Sequence, residues 1–192
     1  LNGGLAIYDT QVPFYAEACA YPIPDLLAAC PNVTVQTSLF HPEEPWGAPL
    51  GSNCTNQTLE RLTFPDASFD IVVTSDVLEH VRLDDLAHRE IRRVLKPGGI
   101  HIFTVPNHRH VRETLKRVTI VDRKDPSRDE YPMEKEFHDD GNAPEGRALA
   151  YRVYGTELDE MLRDLGFSVD YTREDFPRWG IQGTELFYCR LR

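Results

Sequence analysis

The chain has 192 residues, 41% of them apolar and 27% charged, with a net charge of -10. That length suits one domain with a sizeable core, and the composition excludes a chain disordered throughout. The acidic balance speaks against nucleic acid and anionic membrane surfaces as partners, and no apolar run is long enough to span a bilayer. Cys19, Cys30, Cys54 and Cys189 match no zinc spacing and no C-x-x-C pair, and read as reduced thiols. No secretory signal is visible, so a cytoplasmic protein is expected, and the triplets at Asn32, Asn53 and Asn56 read as chance glycosylation matches. Leu1 rather than Met at the start leaves room for an upstream segment.

In chain order, Leu5–Tyr8 reads as a short strand, and Pro24 to Ala29 as a helix with Pro24 at its first position. The β-branched run Val33–Thr37 reads as a strand. Phe40 to Asn56 carries Pro42, Pro45, Pro49, Gly47 and Gly51 and reads as a loop. It is either a lid over a cleft or an insertion that Trp46 anchors to the core.

Phe69–Thr74 (FDIVVT) is nearly all apolar, as expected of a central parallel strand buried on both faces. Leu83–Leu95 follows with helical periodicity, Asp84 and Asp85 in its first turn, Arg92 and Arg93 in its last, and Pro97-Gly98-Gly99 as its stop. Ile100–Val105 is the next strand, which completes a βαβ unit and makes the chain α/β with a parallel sheet.

Residues 107–150 are long, polar and weakly periodic, and read as an excursion over a ligand cleft within a single domain spanning 1–192. A helix is expected at Val111–Val121. A second helix runs through Leu158, Met161, Leu162 and Leu165, with Thr156 as N-cap and Asp159 as an imperfect capping-box partner. Phe167–Tyr171 and Thr184–Leu191 are the closing strands, joined through Gly180–Gly183 as an antiparallel edge pair.

Open α/β sheets bind ligands beyond the carboxyl ends of their strands. Here those ends are Thr74-Ser75-Asp76 and Val105-Pro106-Asn107, with Glu79 and His80 just past the first. His80 could accept a proton near neutral pH, or simply satisfy a loop, and Asp76 could simply cap its turn. A metal set of His108, His110 and His138 is conceivable, but its spacing is generic and no metal is expected. Neither a nucleophile elbow nor a phosphate-binding glycine loop is present.

The segments LTFPDASFDIVVTSDVLEHV, LAHREIRRVLKPGG and IHIFTVP resemble the fourth strand, following helix and fifth strand of class I S-adenosylmethionine-dependent methyltransferases. YGTELDEMLRDLGFSV and the terminal strand pair look like a continuation of that pattern. The resemblance, of the methyltransferase type 11 kind, covers about 56–106 and 151–191. It implies a Rossmann-like, mostly parallel seven-stranded sheet with an antiparallel last strand and helices on both faces.

It also implies S-adenosylmethionine as cofactor and a small-molecule acceptor. Thr58 and Leu59 would lie beside the adenine, and Ser75 and Asp76 beside the cofactor's centre. Glu79 and His80 would be the catalytic pair near the methyl-transfer position, and Asn107, His108 and His138 would border the acceptor. The chain departs from the pattern at Tyr8–Phe14, where the family's glycine-rich loop should be and no glycine stands. Leu39 stands about where the ribose-holding acid is expected, and Thr58 where the family often has an acid. An inactive methyltransferase-like binding or partner module is therefore the alternative, and a nicotinamide oxidoreductase a more distant one.

Overall fold

The structure is a computed structural model, described here for residues 3–9, 31–139, 146–177 and 181–192. The helix expected at Pro24–Ala29, Cys19, Cys30 and the stretch 10–14 lie outside the described residues.

Seven strands form the main sheet: β1 (Gly3–Asp9), β2 (Val33–Leu39), β3 (Cys54–Asn56), β4 (Phe69–Ser75), β5 (Leu95–Thr104), β10 (Phe167–Phe176) and β11 (Ile181–Leu191). Their order is β10-β11-β5-β4-β1-β2-β3. β1 to β5 pair in parallel, while β11 runs antiparallel to both β5 and β10. From β1, the chain's later strands go one way to β2 and β3 and the other way to β4 and β5. The switch point of the sheet thus lies between β1 and β4.

Helices α1 (Asp84–Val94) and α2 (Glu157–Asp164) flank the sheet. Both contribute to one core: Ala87, Ile91 and Val94 from α1 and Leu158 and Leu162 from α2 pack with Val72, Phe103, Phe187 and Cys189. Glu90 stands on the buried side of α1 because it accepts from the amide of Leu62 at 2.8 Å and pairs with Arg93. On the other face of the sheet, Ile71 and Val73 pack beside Val33 and Val35 and are half-buried, so β4 is less enclosed than its apolar run predicts. β5 begins directly after α1. Lys96 to Gly99 form a bulge between the pairs Phe69–Leu95 and Ile71–Ile100, and Gly98 takes a φ of 77° there.

Several sequence expectations need correction. β3 is a strand inside the stretch read as loop, aligned by pairs such as Thr37 with Cys54. Trp46 is not anchored in the core: it stacks on Phe40 at 5.6 Å, and both are exposed. No helix forms at 111–121. Its amides are committed elsewhere, Thr114 N to Glu157, Arg117 N to the carbonyl of Tyr151 and Thr119 N to that of Glu130. Val111 and Leu115 are exposed, so no apolar face drives helix formation. Thr156 makes no side-chain cap on α2, and Asp159 is held by Arg109 through two bonds of 2.7 and 2.8 Å.

The rest of the 107–153 stretch forms two small antiparallel ribbons, β6 (Leu115–Lys116) with β9 (Arg152–Val153), and β7 (Glu136–Asp139) with β8 (Arg147–Ala150). Gly155 lets the chain return beneath 112–113, since a Cβ there would lie 2.3 Å from the carbonyl oxygen of Arg112. Among the described residues, no helix is long and apolar enough to cross a membrane.

Candidate functional site

The carboxyl ends of β1 and β4 lie side by side at the switch point, with Asp9 opposite Ser75. β5 supplies Thr104 to the same rim. Its hydroxyl and carbonyl both accept from the amide of Asp76, at 3.0 and 3.2 Å, and its hydroxyl also lies 3.2 Å from Ser75 Oγ. Ser75 Oγ donates to Asp76 Oδ2 at 3.4 Å. These bonds hold Asp76 in the left-handed region, φ 49°, where non-glycine residues are uncommon. The β4 end is thus a fixed polar corner. Thr104, which sequence reasoning missed, is its brace; only its place as the last residue of β5 could have drawn attention to it.

Beyond that corner the chain makes a 3-10 turn, Leu78–His80, clamped from the far side. Arg152, nearly buried, donates to the carbonyls of Leu78, Val81 and Arg82 at 3.0, 2.6 and 2.8 Å. Tyr154 donates to the Leu78 carbonyl at 3.2 Å. Arg152 stands in a run without a sequence signal, and Tyr154 opens the segment YGTELDEMLRDLGFSV, whose pattern says nothing of a bond to the 78–80 turn.

Glu79 is fully buried, and neither carboxylate oxygen has a hydrogen-bond partner. Burial, reinforced by the charge of Asp76, pushes its carboxyl up to about 8 against the partial offset of its own backbone amide and of Arg152. His80 Nδ1 lies 2.9 Å from the carbonyl oxygen of Leu149 on β8, and His80 Nε2 lies 3.7 Å from Glu79 Oε1. His138 of β7 meets them edge-on, with Nδ1 3.2 Å from His80 Nε2 and 3.8 Å from Glu79 Oε1.

Glu79, His80 and His138 therefore converge. Thr58, Leu59, Asn107 and His108 lie outside that cluster. Leu59 is a core residue, leaving only its backbone for any ligand, and Thr58 Oγ1 accepts from the amide of Glu60. Asn107 donates to Glu185 at 2.7 Å while its Oδ1 is buried without a partner. His108 is exposed and pairs with His110, ring centres 5.5 Å apart. Among the described residues, His108 and His110 share no ligand cluster with His138.

A mostly parallel sheet with a polar corner at its switch point defines a Rossmann-like α/β protein of the nucleotide-cofactor type. The methyltransferase-domain family pattern matches residues 33–103. Over that stretch, less than half of its length, this chain is similar to the methyltransferase domain family, and it shares its fold with solved S-adenosylmethionine-dependent methyltransferases.

It is 32% identical over 126 residues to ubiquinone/menaquinone biosynthesis C-methyltransferase UbiE of Shewanella frigidimarina, covering 59% of this chain and 45% of that protein. The chain thus spans less than half the length of that curated relative. A methyltransferase of Mesorhizobium loti shares the fold at 17% identity and a TM-score of 0.51, over 100% of this chain and 91% of that one. So does the 1,6-didemethyltoxoflavin-N1-methyltransferase of Burkholderia thailandensis, solved with its substrate and S-adenosylhomocysteine. Its identity is 18% and its TM-score 0.52, over 97% of this chain and 70% of that one.

The donor set at the corner fits such a cofactor: the Ser75 hydroxyl and Asp76 carboxylate suit ribose hydroxyls and an ammonium, and the exposed Phe40–Trp46 stack just after β2 offers an aromatic face.

Proposed function

We propose that this protein moves a methyl group from S-adenosylmethionine to a small-molecule acceptor. The observation that carries the reading is the fixed corner of Ser75, Asp76 and Thr104 at the switch point of a methyltransferase sheet. The sulfonium supplies an activated methyl group, which leaves the protein little covalent work.

Ser75 and Asp76 hold the cofactor's centre, and Thr58 with the backbone of Leu59 borders its adenine. Glu79, His80 and His138 face the acceptor from the far side of the corner, with Asn107 and His108 along the same border. Clamping of the 78–82 turn by Arg152 keeps that face in position before ligands arrive, so little ordering is left to binding. The curated relative methylates carbon, and a ring carbon, oxygen or nitrogen flanked by an aromatic system is the acceptor class to screen first.

A specific departure favours a second reading. Tyr8–Phe14 carries no glycine where close backbone approach to the cofactor is needed, as in a methyltransferase fold kept as a binding module.

Calorimetric titration with S-adenosylmethionine and S-adenosylhomocysteine separates the two. Micromolar binding, weakened by about tenfold or more in Ser75→Trp, is expected of the enzyme. A folded protein that gives no heat and no thermal shift at millimolar ligand rejects it in favour of the module.

A further inference from the structure

We infer that Glu79, His80 and His138 form a binding site for a divalent transition-metal ion. The argument starts from the protons. A backbone carbonyl can only accept, so the bond between His80 Nδ1 and Leu149 fixes the ring proton on Nδ1 and turns the Nε2 lone pair inward. His138 Nε2 lies 3.3 Å from Glu136 Oε1, and Glu136 is itself paired with Arg117. That carboxylate accepts a hydrogen bond from Nε2–H, which keeps the ring proton on Nε2 and turns the Nδ1 lone pair of His138 inward as well.

Two imidazole lone pairs and a carboxylate oxygen then face one another at 3.2, 3.7 and 3.8 Å. Three such atoms meeting at one point are a donor set that a metal cation can take up. Bond lengths near 2.1 Å place neighbouring ligand atoms about 3.0 Å apart in an octahedron and about 3.4 Å apart in a tetrahedron. The observed spacings sit close to that range.

The surroundings are those of a metal site. Each histidine has its outer nitrogen bonded to an acceptor, the arrangement that orients metal-bound imidazoles. Glu79 is a buried carboxylate lacking any hydrogen bond, a costly condition that a bound dication relieves. The three ligands come from a turn at the end of β4 and from a ribbon 58 residues away, so local sequence does not account for their meeting.

Two nitrogens and one oxygen select zinc, manganese, iron or cobalt over magnesium and calcium. His138 is the most open of the three, with its side chain 34% exposed, so coordination positions remain on the solvent side. On the methyl-transfer reading, water or a donor atom of the acceptor occupies them. The metal site itself does not depend on that reading.

The test is titration of the chelator-treated protein with Co2+, followed by visible absorption. One equivalent should give a saturable d–d band, displaced by Zn2+ but not by a large excess of Mg2+. His138→Ala, at a half-exposed position that should fold, is expected to weaken binding by about tenfold or more, and His110→Ala to leave it unchanged. Absence of a saturable band, or equal binding by His138→Ala, overturns the site. No Co2+ band from a protein that binds S-adenosylmethionine sinks the metal inference alone; a Co2+ band from a protein that does not bind S-adenosylmethionine sinks the methyl-transfer reading alone.

Discussion

The unit from β4 through α1 to β5 and the stretch 107–153 meet at the 78–82 turn and are held by different forces. The first is secured by apolar burial: Phe69, Val72, Ala87, Ile91, Val94 and Phe103 are all in the core. The second exposes Val111, Leu115, Val121, Tyr131, Met133 and Phe137 and is fastened by arginines. Arg82 grips Asp129 with two bonds of 2.6 Å, Arg123 meets Asp85 at 2.9 Å, and Arg152 holds the 78–82 turn. Burial is cooperative across a core, whereas point fastenings can release one at a time. The first is therefore a rigid platform, and the second a surface segment whose parts can open locally.

The contrast breaks most sharply at Ile91, fully buried on α1. Ile91→Ala should cost about 3–4 kcal/mol of global stability, read as a lower urea midpoint with an unchanged slope. A smaller loss, with a slope that falls, would mean the platform is not one cooperative unit.

Acid should act on the platform next. His88 and His101 are buried in it; burial lowers His88 to about 4 and takes His101 well below its ordinary value. Their folded-state values are depressed, so the unfolded chain takes up protons below about 6.5 while the folded chain does not. Stability is thus full above that pH and lost as pH falls, by about 3 kcal/mol between pH 7 and pH 4 from His88 alone. Neither ring nitrogen of His88 has a partner. His88→Leu should therefore flatten this loss without lowering stability at pH 7. Equal acid sensitivity in variant and parent would place the titrating groups elsewhere.

The smallest global effect is expected on the surface segment. Arg82→Met strands Asp129, whose side chain is only 1% exposed. In a core that would cost several kcal/mol, but a surface segment can swing the carboxylate into water. About 1 kcal/mol of global stability should be lost, with new proteolytic cleavage near residues 122–129. A global loss as large as that of Ile91→Ala would show that the surface segment is integral to the core.

The same division governs what could be read in the sequence. The platform was legible because its signals are local: the apolar run of β4, the 3.6-residue period of α1 and the Pro97-Gly98-Gly99 stop each depend on neighbours in the chain. β3 was not, since three residues among prolines and glycines carry too little pattern, and its alignment comes from pairing with β2. The expected helix at 111–121 failed because, of its periodic residues, only Val118 is buried while Val111 and Leu115 are exposed. Within the site, Glu79 and His80 were singled out from their place past a strand end. Their meeting with His138 depends on the β7–β8 ribbon, which sets His138 opposite Ala148 one residue from the Leu149 carbonyl that holds His80. No spacing rule foretells a register of that kind.

The place of β11 has a consequence for how the molecule comes into being. This strand lies between β5 and β10, so the sheet's interior is filled by residues 181–191, late arrivals in synthesis. A nascent chain that has emerged only to β10 must hold that strand apart from β5, with the aromatic face of Phe103 awaiting Phe187, its stacking partner at 4.6 Å. Completion of the sheet thus waits on translation of the eleventh strand, and a ribosome stalled before it would present an unpaired, apolar strand edge to whatever chaperone or aggregate is nearest.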